Sequence, residues 1–284
     1  MAMPDTGVRR TADLRPVLKW AGGKSGLIGQ LACFFPATCK RYIEPFFGGG
    51  AVYFGIGAKL AGTAILADCN DELITFYGVV RDAPSELMLA LDAMAAQYSE
   101  RYYYQVRAQD PSDPLDRAAR TLFLNKTGFN GLYRQNSSGG FNVPFGKRLK
   151  CPALYVRENL LGVSRMLACA TLNTSDFAAI LAEAASGDVV YCDPPYEPVS
   201  RTSSFNSYVG AGFGRDDQLR LRDACLRASA RGAHVVVSNS SVAFIYDAYQ
   251  GCEIHVVQAR RAINSKATGR APVDELVIVL RPRC

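Results

Sequence analysis

Long apolar runs are missing from this chain. None approaches the ~18 residues needed to span a bilayer, so no membrane-inserted function is expected. The opening stretch MAMPDTGVRRTADLRP has no apolar h-region, and residues 1–17 read as a flexible tail, not a secretion signal. Histidine is scarce: His234 and His255 are the whole supply, which excludes a His-rich metal site. Cysteines stand at 33, 39, 69, 151, 169, 192, 225, 252 and 284, yet no two are spaced as CxxC. Their odd number suits free thiols in a reducing cytoplasm and argues against structural zinc, so no metal is expected. Repeats and low-complexity tracts are also absent. A chain that is 49% hydrophobic and 20% charged is neither disordered nor fibrous, and its 284 residues allow one large domain or two small ones.

Positive charge is present and uneven. Residues 101–165 carry eleven Lys/Arg against four acids, a net +7, while the remainder is close to neutral at −1. Rings and amides interleave the bases: Tyr102, Tyr103, Tyr104, Phe129, Asn130, Tyr133, Asn136 and Phe141. Cations that neutralise phosphate, beside groups that contact bases, suit nucleic acid. Charge alone serves a solvated basic face equally well.

Short apolar runs predict buried strands at Arg41–Pro45, Thr63–Asp68, Asp188–Cys192, His234–Ser238, Glu253–Val257 and Glu275–Leu280. Helical patterns cover Ser175–Ala185 and Asp216–Ala230, the latter with leucines at 219 and 226 and Gly232 as a stop. Alternating strands and helices imply an α/β sheet covered on both faces. The middle departs from this rhythm. Glu86–Tyr98 is helical, Asp113-Pro114 forms an N-cap and N1 pair for a helix ending near Gly128, and Ser137–Gly140 marks a turn. A mostly helical insert over residues 71–154 is therefore expected, within a core of 18–70 and 155–284.

Three motifs carry chemistry. Gly23-Lys24-Ser25 ends like a phosphate loop, but that pattern requires glycine five residues earlier, where Leu18 stands. The run Tyr42–Val52 leads an apolar strand into Gly48-Gly49-Gly50 and then a helical pattern, so a backbone can approach a cofactor at a sheet edge. It is not the dinucleotide fingerprint, since Tyr53 occupies the third glycine position. Asp68 ends the next strand 20 residues after Gly48, a spacing that suits a carboxylate on ribose hydroxyls; a tight turn with a strand-ending cap also fits. Finally, Asp193-Pro194-Pro195-Tyr196 follows the strand Val189–Cys192. Two prolines stiffen the turn, the Asp193 carboxylate and the Pro194 carbonyl can face one group bearing two N–H donors, and the Tyr196 ring can stack on a planar base.

In this order the motifs resemble the Dam-type (D12 class, alpha group) DNA adenine-N6 methyltransferases, from about Leu18 to Leu280. Leu18–Lys24 is similar to the family's LKWAGGK opening, Glu44–Gly50 to its S-adenosylmethionine motif, Leu124–Arg134 and Gly140–Gly146 to its DNA-reading segment, and Asp193–Tyr196 to its DPPY. Arg261–Lys266 and Glu275–Ile278 are similar to its C-terminal signature. The resemblance implies a Rossmann-like S-adenosylmethionine-dependent methyltransferase sheet with a DNA target-recognition insert. It implies that Trp20, Lys24, Asp68 and Asp193 contact the cofactor, that Phe47, Gly48 and Gly50 form the loop beneath it, and that Asp176 and Phe177 flank its adenine. For DNA it implies that Arg134 contacts a guanine, Leu132 a neighbouring base and Lys19 an outer base, that Asn130 helps extrude the target, and that Phe129 wedges into the stack. The chain departs twice: Phe129 stands where Tyr is frequent, and Arg148 where an aromatic is frequent.

The implied reaction moves a methyl group from S-adenosylmethionine to adenine N6 in duplex DNA, with Asp193, Pro194, Pro195 and Tyr196 as the catalytic turn and the base flipped to reach it. GATC is the expected target, with a longer palindrome such as GATATC as the competitor. Two rivals are a related methylation of a protein amide or RNA, and a DNA-binding regulator with a dead core. A cytoplasmic monomer is expected; whether a restriction endonuclease accompanies it stays open.

Overall fold

A computed structural model of the chain describes residues 14–56, 60, 62–136, 140–198, 212–259 and 273–282. Its strands are β1 (Arg41–Glu44), β2 (Thr63–Asp68), β3 (Ala170–Thr174), β4 (Val189–Cys192), β5 (His234–Ser240), β6 (Glu253–Ala259) and β7 (Val273–Leu280). They form one sheet in the order β3-β2-β1-β4-β5-β7-β6. All pairings are parallel except those of β7, which is antiparallel to both neighbours. The helices are α1 (Ile28–Leu31), α2 (Ala51–Ile56), α3 (Asp71–Asp82), α4 (Pro84–Ala96), α5 (Glu100–Ala108), α6 (Pro114–Thr127), α7 (Arg157–Leu167), α8 (Phe177–Ala182), α9 (Arg215–Ala230) and α10 (Ala243–Ala248).

The apolar runs form strands because both faces of the sheet are covered. Alternate residues enter opposite cores. Tyr42, Val189, Tyr191, Val236 and Val277 join one apolar cluster. Ile43, Val190, Cys192, Val235, Val237 and Ile278 join the other. This is the expected Rossmann-like sheet, and its order turns back at β1, where β2 lies on one side and β4 on the other. Ligands bind at such a switch point, outside the carboxyl ends of the strands.

Helices α3 to α7 occupy the β2–β3 connection, the place of the expected insert. The first core cluster runs from the sheet into α3, α4, α5, α6 and α7. Asp113 caps α6 as expected, accepting from Leu115 N at 2.9 Å and Asp116 N at 3.1 Å, and the helix ends at Gly128.

Two expectations need correction. The tail does not run loose to residue 17: Arg15 exchanges backbone bonds with the Asn159 side chain at 2.9 and 3.0 Å, and Val17 is buried. The buried stripe of α9 is Gln218, Leu221, Ala224, Cys225 and Ala228; Leu226 is exposed. The connection over 71–154 is mostly helical, and its residues 128–136 and 140–145 meet through the bridges Gly128–Phe145 and Gln135–Phe141.

Asp113→Ala should remove the oxygen that accepts both capping bonds and destabilise the protein by about 1 kcal/mol. The check is a thermal melt; an unchanged Tm would show that α6 is held by packing alone.

Candidate active site

Where β1 and β4 leave the sheet side by side, two turns face each other. β1 runs into the glycine turn. Phe47 N donates to Ala67 O at 2.8 Å, which ties the turn to β2, and Asp68 Oδ2 accepts from Gly48 N at 3.0 Å. Asp68 Oδ1 accepts from Asn70 N, also at 3.0 Å. Burial raises the Asp68 carboxyl above its usual range, and these N–H donors oppose the shift. Gly50 has φ 70°, and a Cβ there would stand 2.5 Å from a Phe54 ring carbon and 2.7 Å from Phe47; no other residue fits. The Phe47 ring itself is buried against Tyr77, Phe54 and Tyr53, so its side chain belongs to the core and only its backbone shapes the loop.

β4 runs into the Asp193–Tyr196 turn. Lys24, only 5% exposed, donates to Asp193 Oδ2 at 2.8 Å and to Gly22 O at 2.7 Å, and its Nζ lies 4.7 Å from the Tyr196 ring centroid. The other carboxylate oxygen, Asp193 Oδ1, is fully buried and meets no hydrogen-bond partner among the described residues. Burial pushes the Asp193 carboxyl up, and the Lys24 ammonium pulls it back. Tyr196 donates to Glu275 Oε2 at 2.8 Å. Its hydroxyl is held well above its usual range by burial first, then by the Asp193 and Glu275 charges. Glu44 lies within reach of both the Asp68 and Asp193 charges. It accepts from Tyr42 at 2.8 Å, and burial raises its carboxyl strongly.

The LKWAGGK segment joins these turns to the basic connection. The Trp20 indole packs on the glycine turn, where a Cβ at Gly48 would come within 3.0 Å of it, and pairs with the Tyr133 ring at 4.7 Å. Asn125 on α6 clasps the Lys19 backbone, donating to its carbonyl at 2.8 Å and accepting from its N–H at 2.9 Å. Lys19 Nζ in turn donates to Asn130 O at 2.5 Å. Asn130 itself takes φ 55°, which turns the chain sharply and leaves Phe129 half exposed. Leu132 is partly exposed beside it. Arg134 is exposed and rests on Asn142, donating to its Oδ1 at 2.7 Å. The sequence-derived DNA residues thus stand together.

Asp176 and Phe177 are committed to protein partners. Asp176 caps α8 through Ala178 N at 2.8 Å and pairs with Arg220 through both oxygens at 3.0 Å. Phe177 is buried, stacked on Phe46 at 5.3 Å, with the Arg220 guanidinium 4.2 Å from its centroid. Arg261–Lys266 lies outside the described residues.

Of the eleven bases in 101–165, Arg117 alone pairs with an acid among the described residues, through Asp71 and Glu72. Arg120 is spent on the Val106 and Arg107 carbonyls. Arg101, Lys147, Arg148 and Lys150 are exposed and have no acidic partner among the described residues, so their charge is available to a polyanion.

Residues 20–263 match the model of the D12 class N6 adenine-specific DNA methyltransferases. The chain is 36% identical over 274 residues to the type II methyltransferase M1.LlaDCHI of Lactococcus lactis subsp. cremoris, covering 94% of this chain and 95% of that one. It is 37% identical over 287 residues to the type II methyltransferase M.MjaIII of Methanocaldococcus jannaschii, covering 94% and 99%. With the DNA adenine methylase of Vibrio cholerae serotype O1 it shares 35% identity over 273 residues, covering 94% and 96%. A Rossmann-like sheet with paired turns at its switch point defines a nucleotide-cofactor enzyme. The chain belongs to the D12 class of N6 adenine-specific DNA methyltransferases. Its substrate is DNA and its methyl donor is S-adenosylmethionine.

Glu44 and Arg220, and the buried amides Gln218, which donates to Pro195 O, and Asn239, which donates to Gln218, had no role expected from the sequence. Gln218 had a signal, as a polar side chain in register with Leu221, Cys225 and Ala228 on the buried stripe. The others depend on which strands the topology brings together.

Proposed function

We propose that Asp193 and the Pro194 carbonyl accept the two N6 hydrogens of an adenine extruded from duplex DNA, with the base stacked on Tyr196. The carrying observation is Asp193 Oδ1, a buried acceptor with no partner among the described residues. Such an atom is expensive unless a donor arrives. The Pro194 carbonyl likewise meets no donor among the described residues, while the neighbouring Pro195 carbonyl is taken by Gln218. An adenine amino group is a poor nucleophile because its lone pair is delocalised into the ring. Two acceptors on its hydrogens favour a pyramidal nitrogen and return density to the lone pair. S-adenosylmethionine, when bound, supplies an electrophilic methyl group. The carboxylate then stabilises the cationic nitrogen until its surplus proton leaves, which is stabilisation specific to the transition state.

The donor set fits that cofactor: a glycine turn at the switch point, the Asp68 carboxylate at the end of β2 for ribose hydroxyls, and Trp20 and Lys24 around it; the Asp176-Phe177 pair would flank its adenine while keeping its contacts with Arg220 and Phe46. Phe129 serves as the wedge, Asn130 as the aid to extrusion, and Arg134, Leu132 and Lys19 as base contacts. We read residues 71–154 as the target-recognition unit, and the protein as a cytoplasmic monomer. GATC is the proposed target. Relatives bear both the type II methyltransferase and the DNA adenine methylase names. A longer palindrome methylated beside a restriction endonuclease is therefore the second reading.

Asp68→Ala should weaken S-adenosylmethionine binding by roughly 1.5–3 kcal/mol through loss of a charge-assisted bond; unchanged affinity by calorimetry would sink the ribose assignment. Asp193→Ala should abolish methylation while DNA binding survives, because the unpaired bases hold the phosphates independently of the turn. Activity within about tenfold of wild type would rule out the carboxylate's role. Arg134 can donate two bonds to guanine O6 and N7, worth about 1–3 kcal/mol of discrimination. Arg134→Ala should therefore relax specificity at one guanine, scored on oligonucleotides altered one base pair at a time. Lys150→Ala should weaken binding uniformly and flatten its salt dependence. A recognised half-site without guanine would refute the target reading.

A further inference from the structure

Beneath the Asp193–Tyr196 turn, two buried amides meet from elements distant in sequence. Gln218 lies on α9 and is 1% exposed; Asn239 lies on β5 and is 0% exposed. Asn239 Nδ2 donates to Gln218 Oε1 at 3.0 Å, and Gln218 Nε2 donates to Pro195 O at 2.8 Å. Asn239 Oδ1 accepts from Glu197 N at 3.2 Å and from Ser240 N at 2.9 Å, and Ser240 Oγ donates to Glu197 O at 2.6 Å. Every polar end of the two amides is partnered, so neither can rotate without orphaning a buried group.

The turn needs such a fastening. Pro194 and Pro195 have no N–H, so this stretch cannot tie itself down with its own backbone donors. The amides supply what is missing. They hold the Pro195 carbonyl on one side of Tyr196 and the Glu197 N–H on the other, where the Ser240 hydroxyl takes the Glu197 carbonyl. Asp193 Oδ1 and the Pro194 carbonyl are left without a partner among the described residues. We propose that Gln218 and Asn239 are positioning residues for methyl transfer, a clamp that fixes the direction and spacing of those two acceptors. This rests on reading the turn as the catalytic one. Neither amide touches substrate. Both act on how the target nitrogen is aimed once it has been bound.

The test measures full-length Gln218→Met, Asn239→Ala and the double variant, with Asp193→Ala in parallel. Steady-state and single-turnover methylation are read on a duplex bearing one target site. Misaimed acceptors should lower kcat by about tenfold to a hundredfold in each single variant. KM for DNA and for S-adenosylmethionine should stay within about threefold, because binding is made elsewhere. The double variant should lose no more than the worse single one, as for residues acting as a unit. Thermal melts and burst amplitudes correct for any unfolded fraction, so a role confined to stability appears as fewer active sites turning over at the wild-type rate. That result, losses confined to KM, or losses that multiply in the double variant would overturn the clamp. If Asp193→Ala abolishes methylation while both amide variants turn over normally, the clamp fails and the catalytic turn stands. If Asp193→Ala remains active, the reading of the turn fails first.

Discussion

The ion pair between Lys24 and Asp193 is the contact around which the site is assembled. A carboxylate at the end of a fully buried strand is driven toward its neutral form, and a neutral acid is a poorer acceptor. Lys24 opposes that drive from 2.8 Å. Removing one member of a buried pair generally costs roughly 3–5 kcal/mol, because the other charge is left uncompensated. The position of Lys24 is thus an electrostatic requirement of Asp193. Meeting it draws the LKWAGGK segment over the mouth of the sheet and brings Trp20 and Lys19 with it.

That segment makes the cofactor turn and the DNA-reading turn one mechanical unit. Trp20 packs on the glycine turn and pairs with Tyr133, while Lys19 is clasped by Asn125 and reaches Asn130. Displacement of the reading turn is carried through rings and amides to the glycine loop within two residues of sequence, Lys19 to Trp20. Close packing of this kind leaves little room for the two turns to move separately.

Five strands were legible as apolar runs largely buried between the two cores, and β6, at the edge opposite β3, through its apolar run Glu253–Val257 although Val257 alone is buried there. β3 escaped notice because it is an edge strand. Its run Ala170–Thr174 buries only Ala170, exposes Thr171 and Thr174 and contains Asn173, so it lacks the signal that marks a central parallel strand. α3 escaped because Ile74, Thr75, Phe76, Val79 and Val80 favour strands, and packing against the sheet and α6 overrides that preference. The site divides similarly. Asp193, Pro194 and the glycine turn announce themselves because their chemistry is local. Gln218, Asn239 and Arg220 earn their places from contacts over long sequence separations, which no motif records. The leucines at 219 and 226 pointed to the wrong face of α9, since the true stripe is built largely of small residues.

The reversed direction of β7 brings a late part of the chain to the site. Because it runs antiparallel to β5, its first residues lie at the edge where β5 ends, with Ser240 opposite Glu275. Glu275 is the acceptor for the Tyr196 hydroxyl. A nascent chain emerging from the ribosome therefore presents the glycine turn, the reading turn and the DPPY turn before it can fasten Tyr196. The last strand of the sheet thus supplies the partner that holds the tyrosine of a turn laid down 79 residues earlier.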